Sequence, residues 1–256
     1  MNILIPDVLK HPVDIEAEIF GSSANIIVGE ATSQEDISDE VWSNCDAVLA
    51  FDQIVYDKDL LSKLTNCKVI VRVGVGYDNV DLIAAKDKDI LVCNVPDYGT
   101  EEVADHTMGM LLSLLRGLPE YTRRVQQRNY SRANNMPTRL RGKILGIIGL
   151  GRIGTATAMR AKAFGMKIIF YDPYIKDGVD KALNVIRVDT LQEIAELSDV
   201  ISIHTPLTSE THGMIDEKFF GLVKKEPIIL NTARGLIIDL SALEQTMRKG
   251  IVKAAG

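Results

Sequence analysis

The stretch Lys143-Ile144-Leu145-Gly146-Ile147-Ile148-Gly149-Leu150-Gly151-Arg152-Ile153-Gly154 limits what this chain can fold into more than any other. A short apolar run that breaks into GxGxxG and continues as Ala-, Met- and Phe-containing sequence over 155–164 reads as a buried strand, a tight turn and a helix. In that order Gly149 permits the turn, Gly151 lets backbone approach a pyrophosphate, and Gly154 lets helix pack on strand. The phosphates would rest against free N–H groups at a helix N-terminus, where the macrodipole favours negative charge. Gly165 ends the helix, and Lys167-Ile168-Ile169-Phe170-Tyr171 reads as a second strand closing on Asp172. An acid at that distance is where adenosine ribose hydroxyls are held. A glycine turn alone is a weak signal; the strand, helix and acid around it make this a dinucleotide site.

Composition sets the outer bounds. A chain of 256 residues can form two domains, each with its own core. With 46% hydrophobic and 25% charged residues it belongs to neither the disordered nor the fibrous class, and a net charge of -6 argues against an unassisted nucleic-acid surface. Cys45, Cys67 and Cys93 lie in or near apolar runs without CxxC spacing, so they read as reduced core residues, and no metal site is expected. Met1 to Asp7 is too short and too soon charged for a signal peptide, and no apolar run reaches membrane-spanning length. A cytoplasmic location is the expectation.

Along the chain, short apolar runs alternate with helical stretches. Strands are expected at Asn2–Ile5, Ala47–Phe51, Lys68–Val73 and Ile90–Asn94, with helices at Asp39–Cys45, Leu60–Leu64 and Val80–Lys86. Thr100 reads as the N-cap of a long helix, apolar almost all round, expected between domains or in a subunit contact. The polar, Arg-rich stretch from Arg123 to Arg141 reads as a connection or a lid base. Alternation resumes at Ile144, with strands at Val200–Ile203 and Pro227–Leu230, helices at Leu191–Leu197, Glu217–Val223 and Ser241–Arg248, and another strand beginning at Ile251. The fold class is therefore α/β, two doubly wound parallel-sheet domains spanning 1–99 and 100–256, with the crevice between them as the expected ligand site.

Four places fall at carboxyl ends of strands in the second half: Gly149–Gly154, Asp172, the run from His204 to Thr208, and Asn231–Gly235. Asp172 is followed by Pro173-Tyr174, and a carboxylate there repels a 2′-phosphate, so NAD is preferred over NADP. Arg234 is the candidate reactive-centre residue, because a guanidinium fork grips a carboxylate bidentately or polarises a carbonyl. In the first half the strand through Arg72 runs into a glycine-containing turn, where the N–H groups of Val75 and Gly76 can hold a carboxylate and Arg72 can add charge. Of the histidines, His11 reads as surface; His106, His204 and His212 read as structural or cofactor-positioning rather than as the acid/base.

These motifs together resemble the D-isomer-specific 2-hydroxyacid dehydrogenase family over essentially the whole chain from residue 40. The likeness rests on Val71-Arg72-Val73-Gly74-Val75-Gly76-Tyr77-Asp78-Asn79-Val80-Asp81, Val95-Pro96 with Glu102-Val103-Ala104-Asp105, Gly149–Gly154, His204-Thr205-Pro206-Leu207-Thr208 and Asn231–Gly235. The first two are most similar to the branch containing the C-terminal binding proteins, NAD-sensing corepressors. The resemblance implies a flavodoxin-like substrate-binding domain, a Rossmann NAD domain, and hydride exchange between nicotinamide and C2 of a small 2-oxo acid. It implies that Arg234 orients the substrate, that Val75 and Gly76 bind its carboxylate through backbone, and that Arg72 contacts it. It lines the cofactor with Thr107, Arg152, Ile153, Thr205, Pro206, Thr232 and Ala233, and makes the helix from Glu102 the contact of a homodimer. The family's general-acid histidine and its carboxylate partner fall beyond Gly256. The 256-residue chain is thus expected to be a fragment, with weak NAD binding and negligible turnover, or a non-enzymatic NADH sensor.

Overall fold

Short strands rich in Ile, Val and Leu alternate with helices, and this pattern produces two parallel sheets. The computed structural model describes residues 1–9, 12–128 and 137–256, which divide into two units, Met1–Gly99 and Thr100–Gly256. His11 and residues 129–136 of the Arg-rich stretch lie outside the described residues.

Unit 1 runs β1 (Asn2–Asp7), α1 (Asp14–Phe20), β2 (Asn25–Ala31), α2 (Asp39–Asn44), β3 (Ala47–Ala50), α3 (Lys58–Lys63), β4 (Val69–Arg72), α4 (Leu82–Asp87) and β5 (Leu91–Asn94). Its sheet has the order β2-β1-β3-β4-β5 with every pair parallel, the flavodoxin-like arrangement whose switch point lies between β1 and β3. Ser38, Asp57 and Asp81 start α2, α3 and α4 by accepting first-turn N–H groups, which satisfies donors the helix cannot. Beneath these helices Trp42 and Tyr56 meet edge to face, with ring centroids 6.4 Å apart, among buried Leu60, Leu61 and Ile70.

Unit 2 runs α5 (Thr100–Arg116), α6 (Leu118–Gln126), β6 (Ile144–Ile148), α7 (Arg152–Ala163), β7 (Lys167–Tyr171), α8 (Val179–Leu183), β8 (Ile186–Arg187), α9 (Leu191–Leu197), β9 (Val200–Ile203), α10 (Glu217–Gly221), β10 (Ile228–Asn231), α11 (Leu240–Arg248) and β11 (Ala254–Ala255). The all-parallel order β11-β10-β9-β6-β7-β8 is that of a Rossmann sheet, with its switch point between β6 and β9. α5 lies against α7 and β10 and buries one stripe, Ala104, Thr107, Met108, Leu111 and Leu115. Arg160 of α7 clamps it by donating to Asp105 at 2.6 Å and to Glu101.

Several expectations are corrected. Thr100 is the first residue of α5 rather than its cap; within unit 2 the helix buries one stripe. Arg123 and Arg124 sit on helix α6, both paired with Glu120 one turn earlier, and not in an irregular connection. Cys45 and Cys67 are buried free thiols, but Cys93 is exposed, because alternation along edge strand β5 turns it outward. His106 lies on α5 yet is exposed. No described helix is long and apolar enough to cross a membrane.

Candidate functional site

The carboxyl ends of β6 and β9 diverge at the unit 2 switch point, and the glycine turn occupies the gap. Gly149 has φ +92, and a Cβ on it would fall 2.8 Å from Thr205 Cγ2 and 3.0 Å from the His204 carbonyl, so only glycine lets the two loops meet. A Cβ on Gly154 would lie 2.1 Å from the Gly149 carbonyl oxygen, which is how closely α7 packs on the turn. Gly151 is the contrast: a Cβ there meets nothing within 4 Å. The space in front of Gly151 is open.

That space faces unspent donors. α7 has no side-chain cap, and its intrahelical bonding begins with the Thr155 N–H donating to Gly151 at 2.9 Å. Among the described residues, the N–H groups of Ile153 and Gly154 meet no acceptor. The Oγ1 of Thr205, whose methyl stands against Gly149, is also buried without a partner among the described residues. Such a cradle suits a pyrophosphate. Asp172 is held at its rim: one carboxylate oxygen accepts from the Leu150 N–H at 2.8 Å and the other from the Tyr174 N–H at 2.9 Å. Tyr174 is tethered in turn by donating to Glu210, which raises its phenol pKa.

The loop after β10 forms the other side. Asn231 donates to the Arg234 carbonyl at 2.9 Å and accepts from the Ala233 N–H at 3.0 Å, closing a turn that holds Thr232, Ala233 and Arg234. Thr232 and Thr107 share a 3.0 Å hydroxyl bond, which ties this turn to α5. The Arg234 guanidinium, half-buried, donates from Nη1 to the Ala233 carbonyl at 2.9 Å. Pro206 is exposed on the loop after β9. His204 bonds to Ser202 at 2.8 Å, and burial pushes its pKa down to about 4, so the ring is neutral and structural. His212 is exposed on the loop that follows.

Arg72, Val75 and Gly76 come together separately, at the carboxyl end of β4 in unit 1. Asn94 donates to the Val75 carbonyl at 2.8 Å, and the Val95 N–H donates to Gly74 at 3.0 Å, so the turn is braced from β5. Among the described residues the N–H groups of Val75 and Gly76 have no acceptor. Three braces escaped the sequence reading: Asn94, Asn79 and Asp7. Asp7 is 1% exposed, and the pairing of β1 slips just before it, an irregularity that re-aims a side chain. An acid placed one proline beyond the apolar run Ile3-Leu4-Ile5 was the available signal.

The family model for the D-isomer specific 2-hydroxyacid dehydrogenase NAD binding domain matches residues 108–256, the part that holds the glycine turn, Asp172 and Arg234. The chain belongs to this family. Unit 2 is its NAD-binding domain, and NAD is the cofactor that the cradle fits. Among relatives, the chain is 36% identical over 255 residues to the D-3-phosphoglycerate dehydrogenase of Methanocaldococcus jannaschii, an alignment covering 100% of this chain and 48% of the relative. It is 38% identical over 220 residues to the protein of the same name from Bacillus subtilis, covering 86% of this chain and 42% of that one. It therefore spans about half the length of the curated relatives it matches. Among solved structures, D-lactate dehydrogenase from Aquifex aeolicus, complexed with NAD and lactic acid, superposes with a TM-score of 0.92 at 31% identity, covering 100% of this chain and 76% of that one.

Proposed function

We propose that the chain is the NAD-binding and substrate-binding part of a dehydrogenase that interconverts a small 2-oxo acid and its D-2-hydroxy acid. The observation that carries this reading is the open, unspent donor cradle in front of Gly151, with Asp172 anchored at its rim. When bound, the nicotinamide would supply or accept a hydride at C2 of the acid, the C2 oxygen gaining or losing a proton to balance it. The residues of this chain bind and orient. Ile153 and Gly154 N–H groups hold the pyrophosphate, and Asp172 accepts from ribose hydroxyls while disfavouring a 2′-phosphate. Thr107 and Thr232 fix the far loop, and Thr205 offers its orphaned hydroxyl. Arg234 is assigned to grip the carboxylate and polarise the carbonyl, for which a planar fork is suited. In unit 1, the N–H pair at Val75 and Gly76, with Arg72, is assigned to the carboxylate. Among His106, His204 and His212 none is assigned as proton donor, His204 being held neutral by burial.

We also assign a cytoplasmic location and a homodimer through α5, whose part-exposed Leu112 and Leu114 lie beside its buried stripe. The functional test is NADH oxidation by the full-length protein with a panel of 2-oxo acids, beside the Arg234→Gln variant. Turnover that the substitution lowers by ~10² or more, with NADH binding retained, supports the assignment. NADH binding without turnover of any acid favours the non-enzymatic sensor.

A further inference from the structure

Unit 1 holds a cavity of about 510 Å³ lined by Phe51, Asp52, Arg72, Val73, Val95 and Tyr98. It lies at the carboxyl ends of β3, β4 and β5, beside the turn that carries the Val75 and Gly76 N–H groups. The wall that carries Phe51 and Asp52 is fixed. Asp7 accepts from the N–H groups of Phe51 at 3.1 Å and Gln53 at 3.0 Å, and Asn79 donates to the carbonyls of Phe51 and Ile54, each at 2.9 Å. The β3–α3 loop is thus held from both the β1 end and the Asn79 turn.

Arg72 is equally constrained. The Nη1 end of its guanidinium folds back onto Gly74, where a Cβ would fall 1.3 Å from Nη1 and 2.5 Å from Cζ. Nη1 donates to the Val73 carbonyl at 3.2 Å, and Nε is buried without a partner among the described residues. Part of the fork is thereby occupied or walled off, and Arg72 is the one cation lining the cavity among the described residues. Asp52 lines the same cavity with the opposite sign.

A phosphoryl group brings close to two negative charges and three acceptor oxygens, and is held by several cationic or N–H donors. One partly occupied guanidinium beside a carboxylate does not match it. A single carboxylate is matched by Arg72 and the Val75–Gly76 N–H pair together. What remains of the lining is apolar: Phe51, Val73, Val95 and the ring of Tyr98.

We propose that this cavity receives the side chain of an unphosphorylated 2-oxo acid bearing a branched aliphatic or aromatic substituent, with Phe51 and Asp52 excluding phosphorylated analogues. The substrate class thus differs from the one printed in the names of the two D-3-phosphoglycerate dehydrogenase relatives. The inference rests on the reading of the chain as part of a 2-hydroxyacid dehydrogenase. Gly74 acts here as a positioning residue, because any larger side chain displaces the guanidinium.

The test compares kcat/KM of the full-length protein, with saturating NADH, for 4-methyl-2-oxopentanoate, phenylpyruvate, pyruvate and 3-phosphohydroxypyruvate. The expected result is that the first two exceed the phosphorylated acid by roughly 100-fold, the order by which a mismatched polar group is rejected. Phe51→Arg should narrow that gap by about tenfold or more with the NADH dissociation constant unchanged. Should Phe51→Arg not fold, Phe51→Leu serves: it should lower phenylpyruvate turnover without improving the phosphorylated acid. Preference of the parent for 3-phosphohydroxypyruvate, or a ratio untouched by both substitutions, overturns the inference alone. Turnover of none of the four overturns the function and the inference together.

Discussion

Two alanine substitutions three residues apart separate cofactor binding from folding. At Gly151 an added methyl meets nothing within 4 Å, and the backbone φ of -69 suits alanine. Gly151→Ala should therefore melt at or slightly above the parent, since restricting the unfolded chain contributes ~0.4–1 kcal/mol. The same methyl stands where the pyrophosphate approaches, so NADH affinity should fall ~10–100-fold, or about 1.4–2.8 kcal/mol. At Gly154 the added carbon falls 2.1 Å from the Gly149 carbonyl oxygen and 3.3 Å from Ile147 Cγ2, both on the structure that forms the turn. Neither backbone nor buried strand can give by that much. Gly154→Ala should cost about 1–3 kcal/mol of stability and lose NADH binding as the turn distorts. Urea melts and NADH fluorescence titrations on both variants decide it. Gly151→Ala binding NADH as tightly as the parent, or Gly154→Ala as stable as the parent, would refute the reasoning.

Other outcomes follow from single contacts. Asp172→Ala removes acceptors for the Leu150 and Tyr174 N–H groups as well as the ribose contact, so NADH affinity should drop about tenfold and the NADH-to-NADPH preference shrink; an unchanged ratio in paired titrations counts against the ribose assignment. His204 is neutral in the fold, with a pKa lowered from 6.5 to about 4, whereas the unfolded chain takes up its proton below 6.5. Stability should therefore fall as pH drops from about 6.5 to 4, by up to ~3 kcal/mol, and His204→Asn should flatten urea-melt stability over that window. Asp7→Ala orphans the Phe51 and Gln53 N–H groups, so it should cost ~1–3 kcal/mol and raise KM for the 2-oxo acid while leaving NADH affinity in place.

The nucleotide-binding half was legible because its signals are local. Leu145–Ile148 and Ile168–Phe170 are continuous apolar runs in strands covered on both faces, Val200–Ile203 is interrupted only by the buried Ser202, and the glycine turn between the first strand and α7 has few alternative uses. Elements that bury little were not legible. α1 buries no side chain, β2 is a half-exposed edge strand, and α6 is a polar helix held by Glu120 pairs, so hydrophobic periodicity is silent for all three. The placement of Arg234 and Asp172 at strand ends could be read from the runs before them. The grip of Asp7 on the Phe51 loop depends on a contact between residues 44 apart in sequence, and the fold-back of Arg72 onto Gly74, two residues on, is a side-chain orientation that no residue pattern displays.

A crystal structure of the protein with NADH bound tests the central claim most directly. The prediction is a pyrophosphate in front of Gly151, within hydrogen-bond reach of the Ile153 and Gly154 N–H groups, with the adenosine ribose on Asp172. A coenzyme seated anywhere else, with that cradle left vacant, would contradict it.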